Sequence, residues 1–321
     1  MIATAPKPPS TLLDAMRHFD PETARRYVES IKWPEGPVCP KCGSQNVGDI
    51  KSRNGMQQCR EKTCRCQFSL TKGTIMEGTH LRLDQWIAAV WMIVNCRNGI
   101  SSCEIARTIG CKQQSAWHLL HRVRHLLAQE SDGTKMGSKF GVVEADTTFV
   151  GGSLEHISPW RKDARGLTDA YDNKSAVHAI KDRKSGKIRA HTIPSESPNH
   201  VEKLIYDNVA EWSILYTDKS RAYDVFSHRR YQHRTVNHRA GEYVRGKAHV
   251  NGLENFFNCL RRGLKGTYIR ATADHLQAYV DEQVWRFNYR EFSDWNRFDT
   301  AMHLIVGKRL TYKALTDGAV R

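Results

Sequence analysis

Apolar and polar positions change their spacing several times along the chain. Residues 21–31 repeat apolar side chains at helical spacing, and Lys32-Trp33-Pro34-Glu35-Gly36-Pro37 then ends any helix with its prolines and glycine. A cysteine-rich stretch from about residue 38 to residue 74 follows. From 83 to 127 the period is helical again, in two segments separated near Asn98-Gly99. The small polar run 131–138 reads as a linker. Beyond it the pattern turns to strands. Residues 142–150 form one, stopped by Gly151-Gly152, and a polar, charged loop spans 153–174. Residues 175–181 and 187–194 pair as a hairpin through Asp182-Arg183-Lys184-Ser185-Gly186. A helix over 200–210, a short buried strand over 212–217, and helices over 252–264 and 273–288 complete the pattern. Strands first and helices mixed in later indicate an α/β domain.

Charge adds a partner to this picture. Lys plus Arg number 49 and Asp plus Glu 34, a net charge of +15. Such an excess suits a polyanion, because each phosphate neutralised releases a counterion. The 40% apolar content is enough for ordinary cores. No apolar run approaches the ~18 residues that span a bilayer, and the first ten residues lack the apolar core of a secretion signal. The expectation is a cytoplasmic, nucleoid-associated protein with no membrane partner.

Nine cysteines, an odd number, point away from a disulfide framework. Cys39-Pro40-Lys41-Cys42 is a CxxC knuckle, and Cys59 with Cys64 is read as its partner pair, Cys66 being the alternative to Cys64. Four thiolates in two close pairs surround Zn²⁺ tetrahedrally and replace a core too small to fold alone. The zinc is structural.

Residues 99–125 have the outline of a helix-turn-helix. Ser101 or Ser102 caps the first helix, Ile105, Ala106 and Ile109 line its buried face, and Gly110 permits the turn. The second helix carries Lys112, Gln113, Gln114, His118, Arg122 and Arg124, residue types that reach base edges in a major groove. A plain helical hairpin with a solvated charged face is the alternative.

The chemistry concentrates in three carboxylates. Asp146 lies inside the apolar strand Val142-Val143-Glu144-Ala145-Asp146-Thr147-Thr148-Phe149-Val150, where a carboxylate is costly without a cation or hydrogen bonds. Asp218 ends the run Ile214-Leu215-Tyr216-Thr217, at the tip of a strand where α/β sheets place ligands. Glu254 belongs to a helix on which Leu253, Phe256, Phe257, Leu260 and Leu264 form an apolar stripe, bordered by Glu254, Asn258, Arg261 and Lys265. Three converging carboxylates call for a hard cation, Mg²⁺ or Mn²⁺, and two such ions drive phosphoryl transfer. Taken singly, Asp218 reads as a helix cap, Glu254 as a partner of Asn258 or Arg261, and Asp146 as a buried hydrogen-bonded residue. Asn251 competes for the third ligand position, since an amide oxygen also binds metal, and Glu144 is a weaker candidate on the strand.

With these residues in view, the chain resembles the DDE transposases of bacterial insertion sequences that carry an N-terminal zinc ribbon. The likeness runs through Trp33-Pro34-Glu35-Gly36, Cys39-Pro40-Lys41-Cys42-Gly43-Ser44, Gln67-Phe68-Ser69, Gly73-Thr74-Ile75, Gly99-Ile100-Ser101 and Ala116-Trp117. It continues with Glu144-Ala145-Asp146, Phe149-Val150-Gly151-Gly152, Thr217-Asp218, Ala222-Tyr223, His249-Val250-Asn251-Gly252-Leu253-Glu254, Arg261-Arg262-Gly263, Gly266 and Arg286-Phe287-Asn288-Tyr289-Arg290. The resemblance implies an RNase H-like fold, a mixed sheet flanked by helices, with Asp146 and Asp218 as metal ligands. The group's third position is Asn or Glu, which Asn251 and Glu254 both fit. Its fourth is Lys, where Arg261 stands and keeps the charge but not the compact ammonium. Cys66 stands where the group more often has a basic or polar residue, and Thr147 where an acid is frequent.

The expected organisation is an adaptor at 1–36, a zinc ribbon at 37–75, a helix-turn-helix-like region at 76–130, the catalytic domain at 139–295 and a tail at 296–321. Such a protein binds double-stranded DNA, both the terminal inverted repeats of its element and a target. It cuts a phosphodiester and joins the freed 3′-hydroxyl to target DNA, with Arg261, Arg262 and Lys265 on phosphates and His249 as an orienting group. Joining two ends calls for at least a dimer. The competing expectations are a zinc-ribbon regulator without chemistry, which leaves Asp146 unexplained, and a nuclease that cuts branched DNA without joining it.

Overall fold

The computed structural model describes residues 8–53, 55–128, 133–151, 158–166, 174–226, 230–236, 251–269 and 271–317. The chain divides into two compact units, Met1–Ala128 with Glu291–Arg321, and Gln129–Arg290.

The first unit opens with α1 (Leu12–His18) and α2 (Pro21–Lys32). Asp20 starts α2 by accepting the Glu22 and Thr23 N–H groups, and Pro21 supplies the fixed φ of a first helical residue. A three-stranded antiparallel sheet follows, from β1 (Val47–Asp49), β2 (Met56–Cys59) and β3 (Gln67–Ser69). Helix α3 (Leu83–Asn95) is buried continuously from Trp86 to Val94, so it is a central rod rather than an amphipathic surface helix. Helices α4 (Ser102–Ile109) and α5 (Gln113–Leu127) form the expected helical pair. Ser101 and Glu104 close a capping box at the start of α4, and Gly110, at φ 70°, makes the left-handed turn between them.

Residues expected as a tail return to this first unit. In the segment after Glu291, α10 (Asp294–Met302) buries Phe298 completely, against Trp91 at 5.2 Å, Phe19 at 5.8 Å and Tyr27 at 5.9 Å between ring centroids. The Tyr27 hydroxyl donates to Asp299 at 2.7 Å. The Ile75 N–H donates to the Ile305 carbonyl, and Lys308 reaches the Leu126 carbonyl. A last short helix, α11 (Tyr312–Thr316), follows. Aromatic side chains at helical spacing need a hydrophobic partner, and the N-terminal helices supply it.

The second unit is a five-stranded sheet built from β4 (Val142–Gly151), β5 (Lys174–Asp182), β6 (Ile188–Ile193), β7 (Ile214–Asp218) and β8 (Gln232–Val236), in the order β6-β5-β4-β7-β8. The first three are mutually antiparallel, and β7 and β8 run parallel to β4. This mixed sheet between helices is the RNase H-like arrangement. A short helix, α6 (Pro159–Arg165), lies between β4 and β5. Helix α7 (Pro198–Asn208) begins earlier than its pattern suggested because Pro198 occupies the first turn. Strand β7 begins later because Trp212 sits at φ 66°, outside extended geometry. Strand β8 was not legible at all, since Gln232-His233-Arg234-Thr235-Val236 carries one apolar residue.

Each sheet face has its own core. Val143, Ala145, Ala176 and Ile180 pack with Val201 and Ile205 of α7. Val150, Val177, Ala179, Ile188 and Ala190 pack with Leu253, Phe256, Phe257 and Leu260 of α8 (Asn251–Gly263) and with Leu276, Val280 and Val284 of α9 (Ala273–Asn288). Replacing Phe298 by Ala removes a fully buried ring from the first unit and is expected to cost about 3–5 kcal/mol in urea unfolding. A loss under about 1 kcal/mol would show that the returning segment contributes no core.

Candidate active site

Strand β4 alternates between the two cores. Val143 and Ala145 face α7, so Glu144, Asp146, Thr148 and Val150 face α8. The β4–β7 ladder pairs Val142 with Ile214, Val143 with Leu215 and Glu144 with Tyr216, and stops there. Continued by two residues, the same register sets Asp146 opposite Asp218 on one face, where the strands part. This is also the point at which strand order reverses across the sheet, the customary position of a ligand crevice.

The electrostatics follow from this placement. Burial pushes the Asp146 carboxyl up to about 7, helped by the charges of Asp218, Glu196 and Glu254 and opposed by the Thr147 N–H. That N–H donates to Asp146 Oδ1 at 2.8 Å, and the Ser220 N–H donates to Asp218 Oδ1 at 3.2 Å. Glu196, in the connection between β6 and α7, is raised by burial and by Asp218, while the Thr147 and Ser220 hydroxyls pull it down. Sequence reading missed this residue. The available signal was an acid in a Ser- and Pro-rich turn immediately beyond a strand.

Helix α8 supplies the rest. Its apolar stripe, Leu253, Phe256, Phe257 and Leu260, is buried as expected, and Glu254 borders it. Gly252 permits the approach: a Cβ there would lie 2.9 Å from a Glu144 carboxylate oxygen and collide with Lys181 Nζ. Further along α8, Arg261 donates to Thr148 Oγ1 and, at 3.2 Å, to Asn258 Oδ1. Its guanidinium therefore lies over the strand two residues from Asp146. Glu144 is buried in an ion pair with Arg183 at 2.5 Å, whose guanidinium covers the Tyr216 ring at 4.7 Å. Asn251 begins α8; its side chain and His249 lie outside the described residues.

Thr147 points the other way. Its hydroxyl lies 3.0 Å from His178 Nδ1 and 3.3 Å from the Tyr223 hydroxyl. Burial, assisted by His191, holds His178 down at about 3, so the imidazole is neutral at physiological pH. His178 and Tyr223 thus brace the strand beside Asp146 through Thr147, whose hydroxyl also reaches Glu196.

In the first unit, Cys39 and Cys64 stand 3.7 Å apart between sulfurs, Cys42 and Cys59 3.6 Å, and all four sulfurs lie within 4.8 Å of one another. A tetrahedron with Zn–S bonds of about 2.3 Å has edges of about 3.8 Å. The four cysteines fit a structural zinc, and Cys64 rather than Cys66 completes the set. Among the described residues this is the one such cluster, and the carboxylates of Asp146, Asp218, Glu196 and Glu254 do not form another.

Of the residues expected to read DNA, Lys112, Gln113 and Gln114 are exposed at the start of α5, with the Gln113 amide donating to Ser102 Oγ at 2.8 Å. His118 is half-buried against the Tyr312 ring at 5.5 Å. Arg122 departs from expectation. It is buried, donates to the Glu77 carbonyl, lies 5.2 Å from the Trp86 ring, and is lowered to about 10 by burial. Arg124 is buried as well. Both occur nine or more residues into α5, where every residue from Leu119 to Arg124 is buried and the helix has no solvated face. Arg262 and Lys265 are exposed.

Residues 140–288 match the model of the ISXO2-like transposase domain, and residues 20–67 that of the transposase zinc-ribbon domain. A protein of the transposable element ISH50 of Halobacterium salinarum is 28% identical over 266 residues, covering 80% of this chain and 87% of its own length. A transposase-like protein of Haemophilus influenzae is 30% identical over 105 residues, 33% of this chain and 84% of its own length. The chain belongs to the ISXO2-like transposase family. Among solved structures, the simian T-cell lymphotropic virus intasome in complex with PP2A regulatory subunit B56 gamma aligns at 14% identity over 56% of the transposase and 63% of that chain, with a TM-score of 0.29, too loose a likeness to carry an argument. The family match covers the zinc ribbon and the sheet with Asp146 and Asp218, and no described helix is long and apolar enough to cross a membrane.

Two outcomes follow for this transposase. Zinc measured on the purified protein should fall in Cys64→Ser and persist in Cys66→Ser; the reverse would reassign the fourth ligand. The second concerns pH. An ordinary aspartate ionises near 3.8 and Asp146 near 7, so between these values the unfolded chain has released a proton that the folded chain retains. Stability therefore falls as pH rises through that window, and above 7 the full penalty is present. Asp146→Asn in chelator should melt higher than wild type at pH 8, with the gap closing toward pH 4. Equal melting at both would contradict the convergence of charge.

Proposed function

We propose that the chain binds element-end DNA and catalyses divalent-metal-dependent phosphodiester cleavage and strand transfer. The observation that carries this reading is the β4–β7 register, which when continued sets Asp146 opposite Asp218, and the charges of Asp218, Glu196 and Glu254 all raise the Asp146 carboxyl. Like charges gathered in a buried place are unfavourable alone and favourable around a cation. An all-oxygen donor set fits Mg²⁺ or Mn²⁺.

Asp146 and Asp218 would hold the ions from the two parting strands, with Glu254 or Asn251 of α8 as the third ligand and the Glu196 carboxyl close enough for its charge to reach Asp146. A pair of divalent ions supplies an activated water or 3′-hydroxyl and stabilises the leaving oxygen. The remaining work belongs to the chain. Thr148 fixes Arg261, whose forked donors suit a phosphate beside the acids. The Thr147–His178–Tyr223 network keeps β4 rigid without adding charge. Lys112, Gln113 and Gln114, at the exposed start of α5, enter a major groove, and Arg262 and Lys265 contact phosphates. Two protomers at least would bring two element ends together.

The test incubates the protein with a duplex ending in the terminal inverted repeat, with Mg²⁺ and a target plasmid. Cleavage and joined product are expected. Asp146→Asn and Asp218→Asn should lose more than the roughly 10- to 100-fold typical of residues that only support metal ligands. Unchanged cleavage by Asp146→Asn would overturn the assignment, and cleavage without joining would make the protein a nuclease.

A further inference from the structure

Helix α8 does not end at a conventional cap. It continues into one wide turn, Leu264–Tyr268, in which the Ile269 N–H donates to the Leu264 carbonyl at 3.0 Å. Ile269 then adopts φ 55°, ψ −47° and is 78% exposed, the most exposed large apolar side chain among the described residues. A β-branched residue at positive φ is strained and persists only where its surroundings leave no alternative.

The surroundings are on the preceding residue. The Tyr268 hydroxyl donates to Glu282 Oε1, which also accepts from Arg286 Nη1, and Arg286 Nη2 donates to Gln283 Oε1 at 3.0 Å. Glu282 and Arg286 are both buried in α9, and the Tyr268 ring packs on Tyr279 at 4.7 Å. A buried ion pair is a poor source of stability but a good source of fixed geometry. Here it nails down Tyr268 and so sets the direction of Ile269. Exposed Arg262 and Lys265 flank the approach on the same continuous segment. A rigid apolar tip beside exposed cations suits duplex DNA better than an uncharged protein face.

We propose that Ile269 is a wedge that enters a base step of bound duplex DNA and unstacks it, while Arg262 and Lys265 hold the neighbouring phosphates. The proposal rests on the DNA-binding reading above and adds to it a deformation of the duplex. Apolar side chains inserted between base pairs kink DNA in this way. From Glu254 to Ile269 the α-helix and its wide turn advance at most roughly 22 Å, no more than about six base pairs at 3.4 Å each. The unstacked step should lie within that distance of the cleaved phosphate.

The experiment places 2-aminopurine singly at successive positions of a terminal-repeat duplex and reads its fluorescence on binding, with affinity measured in parallel. Wild type should brighten the probe several-fold within that distance of the cleaved phosphate. Ile269→Ala should bind within about twofold yet lose the brightening, and Ile269→Leu should restore it. Ile269→Gly, free of the strained φ, should melt higher by about 2–4 °C and also fail to brighten. Equal brightening by wild type and Ile269→Ala, or none by wild type while it binds, would overturn the wedge alone. Absence of any binding would overturn the DNA reading together with it. A change in sedimentation of Ile269→Ala without DNA would instead assign the tip to a contact between copies.

Discussion

Repulsion between carboxylates at the parting of β4 and β7 is the constraint around which the second unit is arranged. Folding apolar strands around Asp146 and Asp218 places two acids in register, in a setting that disfavours the Asp146 charge. The sheet accommodates them only because the ladder stops at Glu144 and Tyr216, leaving open backbone where a third and fourth acid also arrive. An ordinary stable protein gains nothing from such an arrangement. On the metal-dependent reading proposed above, relief of that repulsion is what bound cations would supply.

The neighbouring elements answer to that need. Helix α8 comes close because Gly252 has no side chain, so that Glu254 borders the acids while Arg261 is tied to Thr148 on the same strand. Glu144, a third acid on the same face, is neutralised by Arg183 and so kept from adding to the repulsion. Thr147 meets a neutral imidazole and a phenol, and its hydroxyl also reaches the Glu196 carboxyl.

Much of this was legible in residue order. Asp146 stood out because a carboxylate interrupts an apolar strand, and α8 because its apolar stripe and its polar border have the same period. The zinc pairs were readable from spacing, although only sulfur separations chose Cys64 over Cys66. Other features were hidden for physical reasons. Glu196 lies in the connection between β6 and α7, where a polar residue attracts no notice, and its significance depends wholly on which strand end the connection abuts. Arg122 and Arg124 look like groove-reading residues, but a long guanidinium side chain packs inward when a carbonyl and an indole await it, and composition does not reveal that. Strand β8 earns its place through backbone pairing with β7 rather than through apolar side chains.

The return of the last segment has a consequence for how this protein is made. Phe298, Ile305 and Lys308 complete a unit whose other parts were synthesised before residue 129, with the whole RNase H-like unit intervening. The core of the first unit is therefore assembled from two stretches of sequence that the RNase H-like unit separates, and a chain broken between them would leave Phe19, Tyr27 and Trp91 without the ring that packs against them.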